Sequence, residues 1–275
     1  MSVKPDSHLE HEYLTGQLKP SFPALFETFS QANEKVLSAL SFDMDLVYGV
    51  HERQRYDLCL ASSPVKALVL FLHAGYWQSR DKSQFRFLAE RMHAVGLAVA
   101  MVNYPLCPDV SMQELTLMVQ EVVPALQSRL PAQMKETPWM LCGHSAGAHL
   151  AVEMALALQR AQADPPPVAG ILGISGVYEL TPLIHTSLNN KLKLDEHAAI
   201  AASPIRRLHG RLPRAIFVDG ALETSAFHQQ SHNMSMAWTR AGNDACYVAL
   251  PDKDHFSILM GQEITDLLLE MATPP

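Results

Sequence analysis

Residues 143–147 read Gly-His-Ser-Ala-Gly, at the point where an apolar run gives way to helical spacing. A corner of this kind holds a hydroxyl out above the end of a strand. Its glycines let two backbones approach where side chains would collide. The helix that begins there aims its free amides at the same spot, which favours negative charge. A tight packing turn is the plain alternative. The chemical reading is a serine nucleophile for acyl transfer, which needs a base, an acid to orient the base, and donors for an oxyanion.

Thirteen histidines compete for the role of base. His255, in LPDKDHFSIL, follows the last apolar run and precedes the last helical stretch, where a loop can hang it over Ser145. His144 is locked in the corner and His149 lies one turn into the helix. His228 and His232 stand at i, i+4, a spacing that metal sites use, but no third ligand accompanies them. No metal and no cofactor is therefore expected. The acid should fall between serine and histidine in the chain. The loop after RAIFVDG offers Glu223, preferred here over Asp219, which belongs to the strand itself. Oxyanion donors are expected from the amide of Ala146 and from the loop HAGYWQSRD, residues 73–81, in which His73, Gly75 and Tyr76 match an H-G-G type loop. Ala74 stands where an H-G-G type loop has glycine, and it costs about 1 kcal/mol or more if its φ is positive.

The elements that must position these groups are legible as runs. KALVLFLH (66–73), LAVAMVNY (97–104), WMLCGHS (139–145), VAGILGIS (168–175), RAIFVDG (214–220) and ACYVAL (245–250) are continuously apolar, as strands covered on both faces are. Helical spacing lies between them at 85–96, 111–130, 146–163, 225–242 and 257–272. Ser111 with Glu114 makes a capping box, and Pro124 should break the helix that follows. Alternation of this kind predicts an α/β fold with a mostly parallel central sheet and helices on both faces. Residues 45–61 read as an antiparallel edge pair. A single domain spanning 1–275 is expected, with a helical extension over 1–44 and a lid or cap within 178–204.

Composition narrows the function further. A net charge of −7 and no basic stripe argue against nucleic acid, and no stretch is apolar enough for a membrane span. The first sixteen residues lack a signal-peptide pattern, and Cys59, Cys107, Cys142 and Cys246 form no CxxC pair. A cytoplasmic protein with reduced thiols is expected. Its partner should be a small-molecule substrate, and a homodimer is allowed.

Taken together, YGVHERQRYDL (48–58), LFLHAGYWQ (70–78), CGHSAGAHLA (142–151), ISGVYELTPL (174–183), ASPI (202–205), GALETSAFHQQS (220–231) and DHFSI (254–258) resemble the α/β-hydrolase superfamily. Within it they resemble the kynurenine formamidase (arylformamidase) and esterase branch. The resemblance spans about residues 45–260, and it implies Ser145 as nucleophile, His255 as general base and Glu223 as acid. Glu stands where the family commonly has Asp. It also implies an oxyanion hole of the Gly75, Tyr76 and Ala146 amides, and hydrolysis of an aryl formamide such as N-formyl-kynurenine. Tyr76, Trp77, Tyr178 and Phe256 are candidate aromatic walls for its ring. A carboxylesterase for small esters is the alternative on the same residues. An inactive hydrolase fold kept for binding is a third, against which the intact serine, histidine and acid speak.

Overall fold

The structure, a computed structural model, describes residues 5–62, 64–160 and 166–272. Its chain opens with α1 (Ser7–Tyr13) and α2 (Phe22–Ala39), then β1 (Asp43–Val47), β2 (Arg55–Cys59) and β3 (Ala67–Leu72). There follow α3 (Leu88–Ala94), β4 (Leu97–Val102), α4 (Met112–Gln120), α5 (Val122–Arg129), β5 (Trp139–His144), α6 (Ala146–Arg160) and β6 (Val168–Ile174). The short helices α7 (Asn189–Leu192) and α8 (Glu196–Ala201) precede β7 (Arg214–Gly220), α9 (Ser225–Arg240), β8 (Ala245–Leu250) and α10 (Glu263–Ala272). Positions 161–163 of the helix expected over 146–163 lie outside the described residues. No helix among the described residues is long and apolar enough to cross a membrane.

The eight strands form one sheet in the order β1-β2-β4-β3-β5-β6-β7-β8. The pairs β1–β2 and β2–β4 are antiparallel and every other pair is parallel, so the expected edge hairpin is present. The apolar runs of β3, β4, β5, β6 and β7 are continuous because these strands feed two cores, whereas β8, at the sheet edge, is largely exposed or half-buried. Leu68, Leu70 and Leu72 of β3 point into one, beside Leu141, Phe217 and Trp238. Ala67, Val69 and Phe71 alternate into the other, beside Met140, Leu172 and Val218. All six β3 residues are wholly buried.

Helix α4 starts at the expected capping box, Ser111 Oγ accepting from the Glu114 amide at 3.2 Å and Glu114 Oε2 accepting from the Ser111 amide at 2.8 Å. The break expected at Pro124 comes earlier, at Glu121. Pro124 is then the third residue of α5, where a missing amide costs nothing because first-turn amides have no intrahelical acceptor. Because β3, β5, β6 and β7 run parallel, with β8 beside them, the loops after all five gather at one edge of the sheet. Residues 73–81, Ser145, Ser175, Glu223 and His255 sit on those loops.

Candidate active site

Ser145 joins β5 to α6 with φ of 57°, a left-handed conformation that costs a non-glycine residue about 1–2 kcal/mol. Packing holds it there. Its amide donates to the Ile174 carbonyl at 2.8 Å, and its carbonyl accepts from the Ala148 amide at 3.0 Å. The flanking glycines are required by contact. A Cβ on Gly143 would lie 2.0 Å from the Gly147 carbonyl oxygen, and one on Gly147 would lie 2.0 Å from the Leu72 carbonyl oxygen. Strand β5, helix α6 and strand β3 therefore meet backbone to backbone beneath the serine.

His255 and Glu223 come together from separate loops. His255 Nδ1–H donates to Glu223 Oε2 at 2.7 Å, and both side chains are almost fully buried. The other carboxylate oxygen, Oε1, accepts from Ser175 Oγ at 2.6 Å and from the Gly220 amide at 2.9 Å. With three donors the carboxylate is fixed in orientation, and it presents the imidazole with its Nδ1 proton bound and Nε2 left over. His144 anchors the same loop from the serine side. Its Nε2–H donates to the His255 carbonyl at 2.7 Å, and the two rings lie 4.8 Å apart. Burial, with His255 alongside, drives the His144 pKa well below the usual histidine range, so this ring stays neutral and serves as a donor.

Three consecutive residues beside the serine have positive φ: Gly75 at 133°, Tyr76 at 50° and Trp77 at 58°. Gly75 is obligatory, since a Cβ would lie 2.2 Å from the Ser79 carbonyl oxygen. Ala74 is not among the positive-φ residues, so alanine fits in place of the glycine of an H-G-G loop without strain. Among the described residues the amides of Gly75, Tyr76 and Ala146 donate to no backbone carbonyl, which leaves them available to an anion.

The sequence profile of the alpha/beta hydrolase fold family matches residues 69–258, well over half of the chain. The chain belongs to the α/β-hydrolase fold family. The kynurenine formamidase of Danio rerio is 33% identical to it over 251 residues, covering 86% of this chain and 84% of that protein. The kynurenine formamidase of Salmo salar is 29% identical over 242 residues, covering 83% and 81%. A crystal structure from Silicibacter sp. TM1040, provisionally called a thioesterase, superposes with a TM-score of 0.85 at 29% identity over 98% of this chain and 100% of the other. An esterase of the bacterial hormone-sensitive lipase family superposes with a TM-score of 0.70 at 18% identity, over 93% and 99%, and attests to the fold alone. These likenesses put the chain in the kynurenine formamidase-like branch, among hydrolytic enzymes.

The remaining candidates of this α/β hydrolase fall into place around the site. Asp219, the rival acid, is turned elsewhere: Oδ1 accepts from His228 Nδ1–H at 3.0 Å and from Tyr247 OH at 3.2 Å. Burial raises its pKa. His232 packs its ring on Tyr247 at 5.6 Å. Among the described residues no group of three metal-ligating side chains occurs. His149 is spent structurally, donating to the Ala202 carbonyl at 2.8 Å with its ring edge-on to Trp77 at 5.0 Å. Of the four aromatic residues considered as walls, Tyr76 belongs to the 73–81 loop and donates through its hydroxyl to the Tyr13 carbonyl. Trp77 is wholly enclosed against His149. Tyr178 packs in the core on Phe217 at 5.3 Å, and Phe256 packs on Phe26 at 4.9 Å behind the His255 loop. These last three are placed as packing residues rather than as an open wall.

Three contributors escaped the sequence reading. Ser175 holds the Glu223 carboxylate; its only signal was a polar residue at the end of a strand flanked by β5 and β7. Glu12 and Tyr13 were read merely as part of a surface extension. The Glu12 carboxylate accepts from Ser225 Oγ and the Ala226 amide, each at 2.8 Å, capping α9, while the Glu12 carbonyl accepts from Thr224 Oγ1 at 2.6 Å. Glu10 in the same helix accepts from the Ser187 amide at 2.7 Å. The 178–204 segment, expected as a lid or cap, is thus tied to α1.

Proposed function

We propose that this chain is a serine hydrolase of aryl formamides, with N-formyl-kynurenine as the type substrate. The observation that carries the reading is the bond from His255 to Glu223 at the sheet edge that also holds Ser145 on its strained corner. His255 Nε2 takes the Ser145 hydroxyl proton as Oγ attacks the formyl carbon, and the amides of Gly75, Tyr76 and Ala146 receive the oxyanion. The C–N bond then breaks, His255 returns the proton to the departing aryl amine, and a formyl ester remains on Ser145. Water attacks that ester with His255 again as base, releasing formate and restoring the serine. Glu223 holds the imidazole at Nδ1 and stabilises the imidazolium throughout.

The choice of formyl over larger acyl groups is supported by the kynurenine formamidase relatives and by enclosure: Ser145 is only 1% exposed and His255 only 4%. The test is kcat/KM for N-formyl-kynurenine beside p-nitrophenyl acetate and butyrate. The formamide should be preferred and butyrate should be the poorest. Preference for the longer acyl chain would turn the assignment to a carboxylesterase using the same residues. Labelling of Ser145 by a fluorophosphonate, absent in Ser145→Ala, tests serine dependence separately. We further read the protein as cytoplasmic, acting on a small molecule, with neither nucleic acid nor membrane as partner and a homodimer allowed.

A further inference from the structure

Beside α6, a groove of about 550 Å³ opens between that helix, α4 and the short helices α7 and α8. Its volume is that of small-molecule sites. Ser145, Glu223 and His255 are not part of its lining. Glu153, which is, lies eight residues along the chain from Ser145, about 12 Å at the rise of an α-helix.

The groove has an apolar wall and a basic rim. Val110, Met112, Leu117, Leu192 and Leu194 supply the first, and Leu117 leaves 58% of its surface open to water. Arg160, Lys191, Lys193 and Arg207 supply the second, together with the imidazole of His197. Glu153 is the single carboxylate in the lining, and it is buried and already paired with Arg207. Among the described residues, Arg160, Lys191 and Lys193 take part in no salt bridge. The Arg207 Nε–H is enclosed with no acceptor, an orphan donor of the kind that an anion satisfies. Two neighbouring acids are engaged in helix caps: Glu114 Oε2 accepts from the Ser111 amide at the start of α4, and Asp195 Oδ1 accepts from the Ala198 amide at the start of α8. Cations gathered around an apolar concavity concentrate negative charge there.

We infer that this groove is a second binding site, for a small organic anion with a carboxylate head and an apolar body. The head meets the basic rim and the body lies along Leu117, Leu192 and Leu194. The inference is independent of which bond Ser145 cleaves.

Isothermal titration of the full chain with decanoate, decanol and decyltrimethylammonium tests it, since the three share an apolar body and differ in head charge. Saturable binding of decanoate, at least tenfold weaker binding of decanol and no binding of the cation are expected. Charge reversal at two exposed rim positions, Lys191→Glu with Lys193→Glu, should weaken decanoate at least tenfold and leave ester hydrolysis unchanged. Ala198→Trp, which fills the apolar wall, should weaken all binding there. No decanoate binding, equal binding of the three probes, or decanoate affinity unchanged by the double reversal overturns the inference. In the last case competition with substrate would locate the anion at Ser145 instead.

Discussion

Replacing Glu223 with glutamine keeps the side chain's shape but reverses one of its hydrogen bonds. The native carboxylate receives three donors, His255 Nδ1–H on one oxygen and Ser175 Oγ with the Gly220 amide on the other. Glutamine has a single acceptor oxygen. Two donors on one side against one on the other turn that oxygen toward Ser175 and Gly220, so the NH2 faces His255. The imidazole must then accept at Nδ1 and carry its proton on Nε2, where it can take nothing from Ser145. Loss of the tautomer and of the carboxylate's field over the imidazolium is worth about 10⁴ in kcat in triads of this design, or about 5 kcal/mol at 1.36 kcal/mol per tenfold. Asp219→Asn leaves all three bonds intact and should change kcat less than threefold. The assay is kcat on N-formyl-kynurenine and p-nitrophenyl acetate, with circular dichroism to show that both variants fold. A folded Glu223→Gln enzyme within tenfold of the parent, or an Asp219→Asn enzyme crippled alike, would refute the role given to Glu223.

Other perturbations probe the supports. His144→Gln loosens the tie to the His255 carbonyl; a drop in kcat of roughly 10- to 100-fold is expected for a base displaced by about an ångström, whereas unchanged kcat would show that the tie is idle. Gly147→Ala drives a Cβ into the Leu72 carbonyl, which does not move without the sheet; a loss near 3 kcal/mol is expected from overpacking, read as a Tm lower by roughly 10 °C, and an unaltered melt would contradict the close approach. His73 and His149 are each pushed down to about 4 by burial, from 6.5. Between those values the unfolded chain binds protons that the folded one refuses, so stability declines as pH falls, by up to about 1.4 kcal/mol per pH unit for each ring. Tm measured from pH 7 to 4.5 should track this and His149→Gln should flatten it; a level profile in the parent protein would count against the burial of these rings.

The central strands were legible because the sheet is covered on both sides there, which writes each one as an uninterrupted apolar run. Their parallel order then fixes which loops share an edge, and hence that the loops carrying Ser145, Glu223 and His255 lie at the same one. Even the choice between the two acids has a local cause. The pleat sets Asp219 on the same face as Ala215 and Phe217, toward α9, where His228 meets it. The aromatic residues were harder, since residue type alone does not tell a ligand wall from a core. Tyr178 is drawn inward by Phe217, and Phe256 by Phe22 and Phe26 on α2. The helix break at Glu121 rather than Pro124 follows from proline being harmless in a first turn. The ties made by Glu12 of α1 join residues more than two hundred positions apart, and no periodicity carries such information.

Those ties also bear on handling the protein. Tyr13 holds the hydroxyl of Tyr76, Glu12 holds the first turn of α9 just past Glu223, and Glu10 holds Ser187, so one short helix grips the 73–81 loop, α9 and the 178–204 segment at once. Trimming the chain to residue 18 would spare the sheet yet unfasten all three. The shortened enzyme should keep its melting cooperativity while accepting bulkier acyl groups, and preparations with differently processed leading ends would then disagree about substrate preference.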